Sequence, residues 1–145
     1  MKHIDGLELS PRKSEYMKHL LDFDSFAKTS DLSGHFKVDP STVTKTIDEL
    51  AETGLIEHLP YHGFRLTKVG RSYAEFLVRR HRILGLMFSH YGLTPEEACR
   101  EASKIEWYVS KETIDKICSS LGHPTMSFCG RIAHDTCCCC PADKD

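Results

Sequence analysis

Residues 38–56 constrain the fold of this chain most strongly, because they combine a helix start, an apolar stripe and a helix stop. Asp39 can cap a helix, and Pro40 suits its first position, where no backbone N–H is needed. Gly54 suits the position just after the helix, where the backbone often turns left-handed. A stripe at helical spacing predicts the buried face, which consists of Val43, Ile47 and Leu50.

The other face of this predicted helix carries short hydrogen-bonding side chains and one cation in its first turns. Such groups suit the base edges and phosphates of double-stranded DNA. The pattern alone also fits an ordinary amphipathic surface helix, so the flanking segments decide between the two interpretations. The candidate DNA-contacting residues of this helix are Ser41, Thr42, Thr44 and Lys45.

The flanking segments predict a winged helix-turn-helix arrangement. A first helix opens near residue 10, a short second helix covers about 30–36, and residues 37–39 form the turn before the helix described above. Beyond that helix, residues 55–58 and 63–67 alternate around a glycine-containing turn and predict a β-hairpin. A hairpin in this place is a wing, which usually touches DNA beside the helix.

A long helix is predicted over residues 68–91, with Thr67 as its cap. Its first part is basic although the whole chain has a net charge of −2, and together with Arg65 of the wing it predicts a local basic strip. Two interpretations stay open: a solvated charged face, or contact with DNA phosphates, which would make binding strongly salt-dependent. The helical part of the strip comprises Lys68, Arg71, Arg79, Arg80 and Arg82.

The second half of the chain predicts further helices. Residues 83–88 at the end of the long helix are apolar enough for a core or a dimer seam. Thr94, followed by a proline and by Glu97 at the third position, marks a helix start, and that helix should run to about Val109. Ser110 then caps another helix, before a turn-rich C-terminal region.

Composition limits the class of protein. At 145 residues and 40% hydrophobic content, the chain can bury one core or two small ones. We expect a cytoplasmic protein, because no apolar run is long enough to span a membrane and no signal peptide is visible. No nucleophile elbow, phosphate loop or paired catalytic carboxylate motif appears, which argues against an enzyme. The seven cysteines, four of them adjacent, favour metal or thiol chemistry over a secreted disulfide framework.

Four motifs occur in one order along the chain: DPSTVT at 39–44, LTKVGR at 66–71, RRHRIL at 79–84 and LGHPT at 121–125. Together they resemble the diphtheria-toxin-repressor and manganese-transport-regulator family of metal-dependent transcriptional regulators. The resemblance covers about residues 10–125. It implies a mainly α fold, in which an N-terminal winged helix-turn-helix is followed by an α-helical dimerisation domain. From its length we expect the short, two-domain form, which lacks the SH3-like third domain of the longer members.

The resemblance also implies a division of the chain and a mode of action. Residues 1–72 would be the DNA-binding domain, 73–125 the dimerisation and metal-binding domain, and 126–145 a cysteine-rich tail. A homodimer would place its winged helices on a palindromic operator in double-stranded DNA and repress metal-uptake genes. A divalent transition metal (Fe²⁺, Mn²⁺, Zn²⁺ or Co²⁺) would bind between the first helix, the RRHR helix and the helix that starts at Thr94.

The metal ligands that the resemblance implies are only partly present. Ser103 and Trp107 stand where the family has two ligands, and an indole offers only an N–H donor. Lys18 likewise replaces a carboxylate. Oxygen, imidazole and thiolate donors together suit iron, zinc or cobalt better than manganese. Each remaining candidate also has an ordinary structural role as its alternative, and these candidates are Glu15, His81, Cys99 and Glu106.

The C-terminal region offers a second candidate site for a metal or for redox chemistry. Two adjacent cysteines with Cys129 and His134 could hold zinc or an iron–sulfur centre, or be oxidised. The alternative is a tail whose cysteines are fortuitous. If the first site is lost, the chain would be a winged-helix regulator controlled at this second site; a winged helix that binds only protein is a further hypothesis. The second site comprises Cys129, His134, Cys137, Cys138, Cys139 and Cys140.

Overall fold

The computed structural model describes residues 4–134 of the chain. Within this range it contains six α-helices, one short 3₁₀ turn and two antiparallel two-stranded sheets, which confirms the predicted mainly α composition. No helix in this range is long and apolar enough to cross a membrane. In chain order the elements are α1 (Pro11–Leu20), α2 (Thr29–Phe36), α3 (Pro40–Glu52), β1 (Ile56–Leu59), β2 (Gly63–Leu66), α4 (Lys68–His90), α5 (Pro95–Ile105), the 3₁₀ turn (Glu106–Tyr108), α6 (Lys111–Ser120), β3 (Met126–Ser127) and β4 (Gly130–Arg131).

The described residues fall into two compact units. One is Pro11–Glu75, called the winged-helix unit below; the other combines residues 4–10 with residues 76–134 and is called the helical unit. The domain boundaries expected after residues 72 and 125 stay predictions.

Helix α3 forms where the capping and periodicity signals predict it. Its stripe of Val43, Ile47 and Leu50 is buried, and Gly54 just beyond it has φ of 81°, a left-handed conformation that glycine adopts without a steric cost. One detail of the prediction is wrong: Asp39 occupies the N-cap position, but its side chain makes no capping hydrogen bond. Its extended backbone is the one favoured before a proline.

The predicted wing is present and is held to the rest of its unit by backbone hydrogen bonds. Strands β1 and β2 pair antiparallel, from Ile56 opposite Leu66 to Leu59 opposite Gly63. Phe64 of β2 exchanges two backbone hydrogen bonds with Ala27, at 2.8 and 2.9 Å. Gly63 is required there, because a Cβ on it would stand 2.3 Å from the carbonyl oxygen of Ala27.

Helix α5 starts as predicted but ends earlier. The hydroxyl of Thr94 accepts the backbone N–H of Glu97, and the carboxylate of Glu97 accepts the N–H of Thr94. The helix ends at Ile105, whereas the expected end was near Val109, and the chain winds into the tighter 3₁₀ turn. Such turns are frequent at helix ends, where the last carbonyls lose their i+4 partners. The turn leaves Glu106 only 2% exposed.

The predicted basic strip is wrong for two of its residues, Arg79 and Arg80. Arg79 and Arg80 are each 1% exposed and belong to the interior of the helical unit. Arg79 pairs with the carboxylate of Asp115 at 2.5 Å. Arg80 donates to the carbonyl oxygens of Gly6, at 2.7 Å, and Val109, at 3.2 Å. Both guanidinium groups are therefore used to join parts of the unit, a role that the charge pattern of one helix does not reveal.

Candidate metal centre and nucleic-acid interface

Three potential metal ligands from distant parts of the sequence converge in the helical unit. His81 lies on α4, Cys99 lies on α5, and Cys129 lies in the two-residue loop between β3 and β4. The Nε2 atom of His81 is 3.4 Å from the sulfur of Cys99 and 4.0 Å from that of Cys129. The three ligand atoms all lie within 4.8 Å of one another.

This spacing fits a single tetrahedral ion. With metal–nitrogen and metal–sulfur bonds of the usual lengths, a tetrahedral ion holds nitrogen and sulfur about 3.6 Å apart and two sulfurs about 3.8 Å apart. The two observed nitrogen–sulfur distances bracket the first value. Small side-chain adjustments therefore suffice to place all three atoms around one ion, with at least one position left for water or another ligand.

Glu106 contacts the other nitrogen of the same imidazole. Its carboxylate is hydrogen-bonded to Nδ1 of His81, and the residue is buried. An ionised carboxylate only accepts, so beside ionised Glu106 a neutral imidazole carries its proton on Nδ1 and keeps its lone pair on Nε2, the nitrogen near the thiols. Carboxylates commonly orient metal-binding histidines in this way. The predicted role of Glu106 as a direct ligand remains untested, and its observed contact is with the histidine.

The thiol of Cys129 is close to a second titratable sulfur. Burial of the Cys129 sulfur raises the pKa of Cys129 above its ordinary value, and the neighbouring Cys99 adds to the increase. Arg82 acts in the opposite direction. A cation that binds here must displace thiol protons, so metal binding releases protons.

Ser103 and Trp107, which stand where the family has two ligands, make contacts of their own. The hydroxyl of Ser103 donates to the carbonyl oxygen of Cys99, one turn earlier, at 2.9 Å. The ring of Trp107 lies beside the guanidinium of Arg80 rather than among the ligand atoms. The central carbon of that guanidinium is 5.9 Å from the ring centre. Glu15 is exposed on α1 in the winged-helix unit, and its role as a ligand stays a prediction.

Two residues of the second predicted site, Cys129 and His134, belong to the described part of the chain. Cys129 joins His81 and Cys99, whereas His134 lies next to His123, with 6.3 Å between their ring centres. Cys137, Cys138, Cys139 and Cys140 lie outside the described residues. The sequence did offer one signal for the loop that carries Cys129, namely the glycine that follows it directly.

The candidate DNA contacts all lie in the winged-helix unit. Four are exposed and Thr42 is half-buried. Thr44 also donates to the carbonyl oxygen of Pro40, one turn earlier, at 3.0 Å. Arg65 pairs with Glu57 on the neighbouring strand and lies 4.6 Å above the ring of Phe26. As a set we call them the recognition surface: Ser41, Thr42, Thr44, Lys45 and Arg65.

Comparison with known proteins identifies the family. The profile described as "Iron dependent repressor, N-terminal DNA binding domain" matches residues 8–64, and "Iron dependent repressor, metal binding and dimerisation domain" matches 67–133. The HTH-type transcriptional regulator MntR of Geobacillus kaustophilus is 30% identical over 111 residues, which cover 74% of this chain and 79% of that protein. The chain belongs to the iron-dependent repressor family. This is the diphtheria-toxin-repressor and manganese-transport-regulator family that the four motifs resemble, so that prediction is confirmed.

A further relative by sequence and a solved structure also resemble the chain. The transcriptional regulator MntR of Escherichia coli O157:H7 is 37% identical over 89 residues, or 61% of this chain, and the match spans 57% of that relative's length. A hypothetical protein of Sulfolobus solfataricus has a solved structure with a TM-score of 0.77 and 26% identity, covering 87% of this chain and 100% of that one. The predicted fold class is confirmed, and the MntR relatives are transcriptional regulators rather than enzymes.

The position of the candidate metal centre agrees with this membership. His81, Cys99, Glu106 and Cys129 all fall within residues 67–133, the segment matched by the metal-binding and dimerisation profile of the iron-dependent repressors. The recognition surface up to Lys45 falls within the segment matched by the DNA-binding profile.

Proposed function

We propose that this protein is a metal-responsive, DNA-binding transcriptional repressor that acts in the cytoplasm as a homodimer on a palindromic operator. One observation carries the proposal: His81, Cys99 and Cys129 bring an imidazole and two thiols together within 4.8 Å. They do so in a segment that matches a metal-binding and dimerisation domain, on the same chain as a winged helix-turn-helix.

Metal control of DNA binding requires a difference in affinity between two states. A metal shifts the protein toward its DNA-competent state only by the ratio of its affinities for the two states. If the DNA-competent state bound the ion a hundredfold more tightly, the shift would be about 2.8 kcal/mol. A chelator removes this contribution, so DNA affinity should fall by up to the same factor of about a hundred.

The recognition surface is suited to one half of an operator. The start of α3 presents exposed hydroxyl groups and one ammonium group, while its opposite face is buried in the unit. In a dimer the two recognition helices would enter successive major grooves, with half-sites about 34–36 Å apart. Since the net charge is only −2, attraction to DNA must come from local cations such as Lys45 and the exposed Lys68 and Arg71.

A direct test is fluorescence anisotropy with labelled DNA from upstream of the protein's own gene. Binding is measured without oxygen and with a reductant, first with a chelator and then with Mn²⁺, Fe²⁺, Co²⁺ or Zn²⁺ in turn. We expect at least one ion to tighten binding and the chelator to reverse it. Equal affinity with the chelator and with every ion would contradict metal control.

Two substitutions test the recognition surface. Lys45→Ala should weaken binding to all DNA sequences and reduce the salt slope by about one, because a phosphate contact is lost. Thr42→Ala should instead change the sequence preference. Lys116→Ala is the matched control, since Lys116 is exposed on α6 and pairs with Glu112. If all three variants bound like the parent at every salt concentration, this assignment would be wrong.

A further inference from the structure

We propose that the metal centre of this protein takes a thiophilic divalent ion, of the zinc or ferrous-iron class, and that Cys129 supplies its third ligand from the C-terminal hairpin. The ligand set is then His81 Nε2 and the sulfurs of Cys99 and Cys129. This inference deepens the proposed function by naming the class of metal. It rests on that function only for the consequence of binding, because metal binding itself is measured without DNA.

The hairpin that carries Cys129 is attached to α4 directly beside His81. Arg82 donates to the backbone carbonyl of Arg131 and, at 3.4 Å, to that of Cys129. One helical turn after His81, Gly85 makes room for Phe128, the other residue of the loop. A Cβ on Gly85 would stand 3.2 Å from the ring of Phe128, so a larger residue would require this ring to shift by a few tenths of an ångström.

The loop itself has a defined conformation. Ser127 is buried; its hydroxyl accepts the backbone N–H of Cys129 and donates to the carbonyl oxygen of Gly130, both at 3.1 Å. Ile132, just after the hairpin, is 3% exposed, and its N–H donates to Thr125 at 2.9 Å. The sulfur of Cys129 is therefore positioned by contacts on both sides of the loop, as a preorganised ligand requires.

The donor types decide which ions suit the site. Thiolate and imidazole ligands favour zinc, ferrous iron and cobalt, whereas manganese favours carboxylate, carbonyl and water oxygens. The only carboxylate at the described centre, that of Glu106, is hydrogen-bonded to Nδ1 of His81. Two sulfurs and one nitrogen within 4.8 Å thus define a soft site.

The test is titration of the full chain with Co²⁺, a spectroscopic substitute for Zn²⁺ and Fe²⁺, without oxygen and with a non-thiol reductant. Sulfur-to-cobalt charge-transfer absorption reports the number of thiolate ligands. To remove the contribution of the other thiols near the C-terminus, a background variant carries serine at positions 137–140. We expect this background to keep a charge-transfer band of two thiolates.

On that background, Cys129→Ser and Cys99→Ser should each halve the band. Each should also weaken Co²⁺ binding by more than the roughly 10–100-fold loss typical of removing an outer-shell partner. Loss of the band in the background itself, or an unchanged band and affinity in Cys129→Ser, would overturn the proposal. Alkylation of the wild-type chain provides a measurement without substitutions. Zn²⁺ should protect Cys99 and Cys129, and alkylation of both at an unchanged rate would also overturn it.

Selectivity needs its own control, because almost any site binds Co²⁺ more tightly than Mn²⁺. The diagnostic quantity is the ratio of Co²⁺ to Mn²⁺ affinity in the wild type and in Cys129→Asp. Replacing one thiolate by a carboxylate should lower this ratio at least tenfold, estimated roughly from ligand softness. An unchanged ratio would overturn the thiophilic assignment. Thiolate binding of Co²⁺ without any effect on DNA affinity would leave this inference intact and contradict only the proposed function.

Discussion

Replacing Glu106 by glutamine should weaken metal binding without removing a metal ligand. The carboxylate of Glu106 is hydrogen-bonded to Nδ1 of His81, and Glu106 is 2% exposed. Glutamine keeps the shape and can still accept that hydrogen bond, but it lacks the charge that makes the imidazole a better donor. Loss of such an outer-shell partner typically costs 10–100-fold in affinity, or about 1.4–2.8 kcal/mol.

The assay is a chelator competition that gives the Co²⁺ affinity, combined with the absorption spectrum of the cobalt complex. We expect Glu106→Gln to bind more weakly than the wild type but to keep the same number of thiolate ligands and a tetrahedral spectrum. Thermal unfolding without metal verifies that the variant is folded. Glu101→Gln is the matched control, because that carboxylate lies on α5, just before the 3₁₀ turn of Glu106, and pairs with Lys104 at 2.7 Å.

Two results would refute the reasoning. A spectrum that loses tetrahedral character in Glu106→Gln, together with an affinity loss as large as that of Cys129→Ser, would make Glu106 a ligand rather than a positioning residue. An affinity equal to that of the wild type and of Glu101→Gln would mean that the hydrogen bond to His81 does not influence the metal.

Two further predictions concern stability. Asp115→Asn should lower the free energy of unfolding by about 2 kcal/mol, because the buried guanidinium of Arg79 loses its charged partner; urea denaturation measures this change. Burial, and then charge repulsion from His35, whose ring lies against it, lower the pKa of His19 below 6.5, so the unfolded state binds more protons below that pH. The free energy of unfolding should therefore fall as the pH drops below 6.5, and it should fall less in His35→Gln. The measurement is the urea midpoint at each pH. Identical midpoints for His35→Gln and the wild type at each pH would contradict the role of His35.

Much of the fold follows from local signals in the sequence. A proline at the start of α3, a glycine just beyond it and the capping box at Thr94 fix helix ends through contacts within a few residues. Apolar periodicity fixes which face of each helix is buried, as Val43 and Ile47 show. These signals depend on the neighbouring chain only, so they can be interpreted without knowing the tertiary structure.

The residues of the metal centre could be named from the sequence, but their grouping could not. The family resemblance implies one site with His81 and Cys99, whereas the cluster of soft ligands near the C-terminus predicts a second site with Cys129. Cys129 comes close to His81 because its hairpin packs against Gly85 and is hydrogen-bonded by Arg82. The sequence around Gly85 and Arg82 does not indicate that either residue contacts this hairpin. A metal site depends on distances in space, which sequence separation does not give.

The sequence by itself determined the family, the order of the helices and wing, and the exposed polar face of α3, because all of these are properties of short segments. Only the tertiary structure decided that Arg79 and Arg80 are interior, and that Glu106 contacts His81. The charge and the donor type of each side chain follow directly from the sequence. The burial and the orientation of a side chain depend on packing between distant segments. Burial and orientation decide whether that side chain contacts DNA, a metal ion or another side chain.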